Sequence, residues 1–331
     1  MYDLIIIGGG PAAVAAAFHA QEKQLDAVMI YEDLGGKVGW RESLVGHDLD
    51  QQRHREARWQ VQWSTAQVQH TTPYLPANDL VRMLISRAMK SGRVIHDRVL
   101  GISPGLSFFS VETQAQGVLQ ATAILVATGA TPLRLNVPGA HRLIDPGMSY
   151  SIATYAQQVA DQSVAVIGGT TRALLGAAEL VWTAARVYLV VPNAEQLANP
   201  LAHMLIQQPN VEVFPGYEVV EVSGTQTLRE LVLMRGGEIH TITVQHAFVD
   251  LGLVPNSEVV RALVKTDAHG FIVVDQHNAT SAPGIFAAGD VTTTAAEQVM
   301  VAIGDGARAA ISAYTYILSR WLATERMARP A

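Results

Sequence analysis

The sequence predicts an α/β protein with two domains, each built on a doubly wound parallel sheet in three layers. Residues 2–30 and 163–191 repeat one order: an apolar strand, a glycine turn, a helix and a second strand. Each segment is a βαβ unit, the unit from which parallel sheets are built. Two such units indicate two Rossmann-like nucleotide-binding domains.

The hydrophobic patterns place the individual elements. We predict strands over 2–7, 27–31, 163–167 and 187–191, and helices over 11–20 and 172–184. Further along the chain we predict β-rich runs over 108–112 and 123–126, a strand–turn–strand over 270–290, and a long helix from about 295 to 322.

The second domain is predicted to be inserted into the first. Pro132 and Pro138 mark a crossing between domains, and the apolar run 248–255, which ends in proline, indicates the return crossing. We therefore expect a discontinuous first domain, residues 1–133 and 249–331, around a second domain of residues 134–248.

The composition restricts the chemistry. Hydrophobic residues are 49% and charged residues 16%, as in a globular protein, and a net charge of -6 gives no reason to expect nucleic acid or an anionic membrane as partner. These 331 residues contain no cysteine, so redox chemistry requires a cofactor. The eleven histidines lack metal-ligand spacing, and no metal site is expected. No basic segment precedes the first apolar run, so we expect no signal peptide and a cytoplasmic protein.

The first glycine turn fits a dinucleotide-binding motif. Gly8, Gly10 and Ala13 occupy the three key places of G-x-G-x-x-G/A, with Pro11 and Ala12 between them. Gly8 permits the tight turn, Gly10 lets a pyrophosphate approach the backbone, and Ala13 permits close packing of the helix on the strand. Glu32 ends the second strand, where an acid accepts ribose hydroxyls.

A second motif, Thr280-Ser-Ala-Pro-Gly-Ile-Phe-Ala-Ala-Gly-Asp-Val291, resembles the FAD-binding signature of the low-molecular-weight thioredoxin reductase family. That family lies in the FAD-dependent pyridine nucleotide-disulfide oxidoreductase superfamily. The resemblance covers nearly the whole chain and implies a homodimer that binds FAD in the first domain. It also implies the flavin contacts: Gly289 and Asp290 at the ribityl chain, Gln298 and Val299 at the pyrimidine edge, Val99 at the adenine, and Gly36, Lys37, Ala127, Thr128 and Gly129.

Two departures from the family change the expected chemistry. Ser151 and Thr154 stand where the family has its redox cysteines, which excludes dithiol–disulfide exchange. In the second glycine turn Thr170 replaces the glycine that admits a pyrophosphate, and no arginine pair follows Val191 for a 2′-phosphate. We therefore expect a degenerate NAD(P) site and no use of NADPH. Arg172 has two interpretations, a phosphate ligand or an exposed arginine at a helix start.

Two further departures leave alternatives open. Lys37 replaces the family's usual glutamine, and it either places a cation near the flavin or faces solvent. Residues 38–72 interleave Trp40, Trp59 and Trp63 with arginines. They form either a helix with a basic face and a buried aromatic face, or a site for a second flavin, as in the diflavin-linked disulfide reductases of the superfamily.

Three functions are compatible with these motifs. The leading hypothesis is a flavin-dependent oxidoreductase with no assigned catalytic side chain, which exchanges electrons at the flavin with a ferredoxin-like protein or a small molecule. Relatives that lost the nicotinamide site suggest the ferredoxin-like donor. The alternatives are an NAD(P)H-dependent ferredoxin or flavodoxin reductase-like enzyme and a non-catalytic flavin-binding redox sensor or assembly module.

Overall fold

The structure is a computed structural model that describes residues 1–36, 60–65, 68–73, 77–90, 93–144, 147–150, 159–294 and 296–328. The chain divides into two compact units, residues 1–130 with 255–331 and residues 131–254. We call them unit 1 and unit 2. Each contains a parallel sheet with helices, which confirms the predicted α/β class with two Rossmann-like domains.

Unit 1 contains a seven-stranded sheet. Its parallel strands are Tyr2–Ile7 (β1), Ala27–Tyr31 (β2), Val94–His96 (β5), Gly117–Val126 (β8) and Ile285–Ala287 (β19); Val99–Pro104 (β6) and Phe109–Thr113 (β7) pair antiparallel. The strand order is β5-β2-β1-β8-β7-β6, and β19 also pairs with β8. Its helices are Pro11–Glu22 (α1), Ala77–Lys90 (α2) and Val299–Ala328 (α5).

Unit 2 contains a five-stranded parallel sheet and a three-stranded antiparallel sheet. The parallel strands are Met148–Ser149 (β10), Ser163–Ile167 (β11), Arg186–Val191 (β12), Val211–Pro215 (β13) and His246–Val249 (β17). The antiparallel strands are Glu218–Gly224 (β14), Leu228–Arg235 (β15) and Glu238–Thr243 (β16), and the helices are Thr171–Val181 (α3) and Pro200–Ile206 (α4). The two chain crossings, Ala130–Pro132 (β9) and Leu253–Pro255 (β18), pair as a two-stranded sheet.

Two predicted elements in the C-terminal part of unit 1 differ from the structure. Between residues 270 and 290 only β19 is a regular strand, because the carboxylates of Asp267 and Asp275 accept backbone N–H groups and replace ladder hydrogen bonds. The last helix begins at Val299, where the carbonyl of Gln298 accepts the N–H of Ala302, and it continues beyond residue 322 because residues 323–328 are mostly good helix formers.

The part of segment 38–72 that the structure describes is not helical. Gln60–Thr65 (β3) and Val68–Pro73 (β4) form an antiparallel pair, with Trp63 opposite His70. Apolar and polar residues alternate in Gln60–Ser64, which is the period of a strand. The helical interpretation is therefore wrong at Trp63, whereas Trp40 and Trp59 lie outside the described residues.

Helix α1 packs against α5 through glycines. A Cβ atom on Gly306 would overlap the carbonyl oxygen of Ala12, and one on Gly289 would lie 3.1 Å from the Cβ atom of Ala12. The backbone of α5 thus approaches the first turn of α1 more closely than any side chain at residue 306 would allow. This contact fixes the glycine turn after β1 relative to the C-terminal segment.

Asp97 connects β5 to the meander β6–β7–β8. Its buried carboxylate accepts the backbone N–H groups of Arg98, Ala115 and Gln116 at 2.7–3.1 Å. Burial by itself would raise the pKa of Asp97, but these donors together hold it below its ordinary value of 3.8. The ionised carboxylate is therefore the form that stabilises this corner of the sheet.

In the part of the chain that the structure describes, no helix has both the length and the apolar character required to cross a membrane.

The Asp97 carboxylate makes a pH-dependent contribution to stability. Because folding lowers its pKa, the contribution is present above the unfolded value of 3.8 and is lost as pH falls through the folded pKa. We expect Asp97→Asn to lower the urea midpoint at pH 7, with a difference from wild type that shrinks below pH 3.8. Glu112→Gln, at an exposed site on β7, is the matched charge control. A pH-independent difference would contradict this assignment.

The glycines of α5 provide a matched pair of variants. Gly306→Ala forces a methyl group against the carbonyl of Ala12 and should destabilise the fold by about 1–3 kcal/mol. Gly304→Ala, with no described atom within 4 Å of its new methyl group, should stabilise the helix by up to about 1 kcal/mol. Denaturant unfolding of both variants measures the difference, and equal stabilities would refute the close α1–α5 contact.

Candidate functional site

The first glycine turn lies at the carboxyl ends of the parallel strands of unit 1. Gly8 follows β1 with φ +127°, and a Cβ atom there would overlap the carbonyl oxygen of Ala127 at the end of β8. A Cβ atom on Gly9 would overlap the carbonyl oxygen of Asp33 after β2. The turn is therefore locked between two strand ends, the place where α/β sheets bind nucleotides.

The N-cap residue of helix α1 makes no side-chain hydrogen bond to the helix. Gly10 is its N-cap residue and has no side chain, Pro11 is the first helical residue, and the first turn contains no acidic residue. The first N–H groups of a helix have no acceptor within the helix and carry positive potential. This end of α1 can therefore accept an anionic group, as the motif Gly8 to Ala13 predicts.

Gly36 lies against the first glycine turn. It has φ +55°, and a Cβ atom built on it would lie 3.1 Å from the Cα atom of Gly10. The structure thus brings two of the predicted cofactor residues into backbone contact. Lys37, the next predicted residue, lies outside the described residues.

The predicted adenosine contacts lie near each other at the end of β2. The carboxylate of Glu32 is 61% exposed and lies 3.7 Å from the guanidinium of Arg98, the residue before Val99. The carbonyl oxygen of Glu32 lies 3.1 Å from the imidazole of His96. An exposed pair at this distance contributes little stability, so the Glu32 carboxylate remains available to a ligand hydroxyl.

A hydrogen-bonded network holds the turn that contains Asp290. Gly289 has φ +71°, and its carbonyl oxygen accepts the hydroxyl of Thr292 at 2.8 Å. The backbone N–H of Thr294 donates to the Thr292 hydroxyl oxygen at 3.3 Å, and the Thr294 hydroxyl donates to the buried carboxylate of Asp305 on α5 at 3.0 Å. Asp305 thus links the Gly289–Val291 turn to the helix that follows it.

Sequence reasoning missed this positioning role of Thr292, Thr294 and Asp305. It also missed Asn256, whose amide donates to the carbonyl of Thr128 at 2.9 Å, while the Thr128 hydroxyl donates to the carbonyl of Asn256 at 2.6 Å. Polar residues in a loop or within an otherwise apolar helix were the available signal. The two hydrogen bonds between Thr128 and Asn256 join residues 128 positions apart, and no pattern of neighbouring residues reveals such a contact.

The second glycine turn is closed by its own side chains. Thr170, at the place that Gly10 occupies in unit 1, caps α3 by accepting the N–H of Ala173 at 3.0 Å. Arg172 pairs with the buried carboxylate of Asp250 at 2.5 Å. The Arg172 side chain is 38% exposed, but its guanidinium is paired with an internal acid. Neither the phosphate-ligand interpretation nor the exposed-arginine interpretation included that pair.

Ser151 and Thr154, at the places of the family's cysteines, lie outside the described residues. Val299 is the first residue of α5, and Gln298 directly precedes it, with its carbonyl oxygen accepting the N–H of Ala302. Among the residues that the structure describes, no group of three potential ligands is arranged to hold a metal ion.

Known proteins resemble this chain over most of its length. It is 28% identical over 320 residues to a protein named NADH dehydrogenase from Bacillus subtilis, and 29% identical over 320 residues to a component of alkyl hydroperoxide reductase from Staphylococcus epidermidis. Both matches cover 96% of this chain and 59% of the relative, so the chain spans about three-fifths of those proteins.

A solved structure matches the fold along both chains. Thioredoxin reductase from Streptococcus pyogenes superimposes with a TM-score of 0.74 and 25% identity, over 96% of this chain and 99% of its own. The pyridine nucleotide-disulphide oxidoreductase family model matches residues 2–306. With its two Rossmann-like units and the glycine turn at the sheet edge of unit 1, this chain belongs to the pyridine nucleotide-disulphide oxidoreductase family.

Proposed function

We propose that unit 1 binds FAD and that the protein is an oxidoreductase using neither a redox disulfide of its own nor NADPH. It exchanges electrons directly with a redox protein or a small molecule that reaches the bound cofactor. The observation that carries this proposal is the contrast between the two glycine turns. The turn before α1 leaves its helix end uncapped, whereas the turn before α3 is filled by Thr170 and the Arg172–Asp250 pair.

The geometry at Gly10 supports a ligand at the first turn. Its backbone, with φ −79° and ψ −178°, is one that any residue adopts. Among the described residues, a Cβ atom at Gly10 would meet only the Cα atom of Gly36, at 4.0 Å. The described protein therefore gives no reason for glycine here, while close approach of a pyrophosphate does.

The residues of unit 1 would hold FAD at separate parts of its structure. The α1 N-terminus, from Gly10 to Ala13, would bind the pyrophosphate, and the Glu32 carboxylate would accept the ribose hydroxyls. Asp290, held by the Thr292–Thr294–Asp305 network, would accept a hydrogen bond from the ribityl chain. When bound, FAD supplies electron transfer through its isoalloxazine ring, which accepts electrons singly or in pairs.

The chain itself supplies no thiol for a disulfide step. With no cysteine in 331 residues, and with Ser151 and Thr154 at the family's cysteine places, none of its side chains can carry a thiolate. Electrons therefore pass between the cofactor and an external partner. A ferredoxin-like donor is the partner class we propose, because related flavoproteins without a nicotinamide site use one.

An NAD(P)H-dependent reductase is the second candidate. It is favoured by the similarity to a protein named NADH dehydrogenase. Against it stand the hydroxyl of Thr170 and the carboxylate of Asp250 beside the α3 N-terminus, because a pyrophosphate would have to displace the first and would be repelled by the second.

A serine at Gly10 should block the first turn and leave the fold intact. Because serine is a good N-cap residue, Gly10→Ser should change the stability of the apoprotein by only a few tenths of a kcal/mol. We expect FAD to bind at least about tenfold more weakly, a loss of ~1.4 kcal/mol. Gly101→Ser, on β6 with no described atom within 4 Å, is the control. Unchanged FAD affinity in a folded Gly10→Ser variant would remove the basis for this site.

The electron donor can be tested with an anaerobic visible spectrum of the FAD-loaded protein. We expect excess NADPH or NADH to leave the flavin absorbance unchanged, because Thr170 and the Arg172–Asp250 pair fill the glycine turn before α3. Chemically reduced ferredoxin should bleach it. Prompt bleaching by either nucleotide would instead establish the second candidate, and a stable spectrum with both nucleotides and ferredoxin would favour a redox sensor.

A further inference from the structure

The Asp250 carboxylate in unit 2 occupies a place that is chemically suited to a phosphate. Asp250 directly follows β17 and is buried, with 8% of its side chain exposed. Its two oxygens accept three side-chain donors: Nε of Arg172 at 2.5 Å, a terminal nitrogen of Arg172 at 2.7 Å and the hydroxyl of Thr170 at 3.2 Å. A guanidinium that binds with two parallel N–H groups and a hydroxyl at a helix N-terminus are the groups that recognise phosphate oxygens.

These donors belong to the same glycine turn. Arg172 lies in the first turn of α3, and Thr170 is its N-cap residue. Gly168, the first glycine of the turn, has φ +137°, and a Cβ atom there would overlap the carbonyl oxygen of Asp250. The backbone of Asp250 is thus fixed against the turn, and its side chain is directed to the helix end rather than to solvent.

The equivalent place in unit 1 has no acid. There the backbone carbonyl of Ala127, at the end of β8, approaches Gly8 as that of Asp250 approaches Gly168. Ala127 has a methyl group where Asp250 has a carboxylate. The two turns therefore share their backbone packing. Unit 2 differs in its side chains, with Thr170, Thr171, Arg172 and Asp250 where unit 1 has Gly10, Pro11, Ala12 and Ala127.

We propose that Asp250 is the residue that excludes dinucleotides from unit 2. Its carboxylate takes the place of a ligand phosphate and neutralises Arg172, which is the anion-binding group of this turn. An approaching pyrophosphate meets a buried negative charge and a guanidinium whose Nε and one terminal nitrogen already donate to that charge. This inference rests on the proposed function only in assuming that wild-type unit 2 does not serve NADPH.

Removing the charge should therefore create a binding site. In Asp250→Asn the side chain keeps its shape, the buried negative charge is lost, and Arg172 becomes available to an anion. We expect the FAD-loaded full-length variant to bind ADP-ribose, measured by titration calorimetry, at least about tenfold more tightly than wild type. Prior loading with FAD fills the unit 1 site, and ADP-ribose carries no reducing equivalents, so the test is independent of electron transfer.

Two control variants and one alternative variant assign the gained affinity to this turn. The double variant Asp250→Asn/Arg172→Gln should lose the gained affinity, because the guanidinium that binds the phosphate is absent. Glu212→Gln removes one charge from an exposed pair on β13 and should bind ADP-ribose as wild type does. Asp250→Ser, which also lacks the charge, provides a second test if Asp250→Asn does not fold.

The outcomes separate this inference from the proposed function. A folded Asp250 variant without gained affinity, equal gain in Glu212→Gln, or tight binding of ADP-ribose by wild type would each overturn the role of Asp250. Bleaching of wild-type FAD by NADPH would instead overturn the proposed independence from NADPH, and it is read in a different experiment.

Discussion

The arrangement of unit 1 depends on the approach of two glycines to Ala12: Gly306 to its carbonyl oxygen and Gly289 to its Cβ atom. Through it the first turn of α1 is held against the C-terminal helix, with no room for a side chain at residue 306. The glycine turn after β1 and the Gly289–Val291 turn are far apart in sequence, yet both belong to the candidate site. Their spacing depends on the packing of two glycines against the backbone and the methyl group of Ala12, which tolerates less variation than packing through flexible side chains.

The polar groups around this contact reinforce it. Asp305 is buried within α5 and connects, through Thr294 and Thr292, to the carbonyl of Gly289. Asn256 and Thr128 exchange two hydrogen bonds between the end of β8 and the return crossing. Buried polar groups are costly unless satisfied, so these networks favour one arrangement of the loops around the first glycine turn.

The two units share one local arrangement, a strand followed by a glycine turn and a helix, but they differ in the residues of the turn. In both, a glycine with positive φ follows the first strand. A Cβ atom there would overlap a backbone carbonyl at the end of the neighbouring strand, that of Ala127 in unit 1 and that of Asp250 in unit 2. That glycine is required by the protein itself. The third residue of the turn is different: Gly10 in unit 1 leaves the helix end open, and Thr170 in unit 2 closes it. Of these two glycine positions only the third residue bears on a ligand, so the proposed difference in binding between the units rests on that residue and not on the shared fold.

The proteins that resemble this chain carry different enzyme names. They include a protein named NADH dehydrogenase, a component of alkyl hydroperoxide reductase and a thioredoxin reductase, and this chain spans about three-fifths of the first two. The absence of cysteine from the 331 residues distinguishes this chain from an enzyme that carries its own redox disulfide. Its chemistry must therefore be inferred from the turns and the residues around them.

The sequence by itself determined the α/β class, the two βαβ units, the first glycine motif and the loss of the cysteines, because these depend on local periodicity and residue identity. It placed the last helix and the 270–290 segment less well, since capping carbonyls and aspartate-centred turns override local propensity there. Only the tertiary structure decided that Asp250 pairs with Arg172 and that Ala12 meets Gly306. Each joins residues distant in the chain, and a pattern of neighbouring residues carries no information about which distant carboxylate or carbonyl the fold will bring into contact.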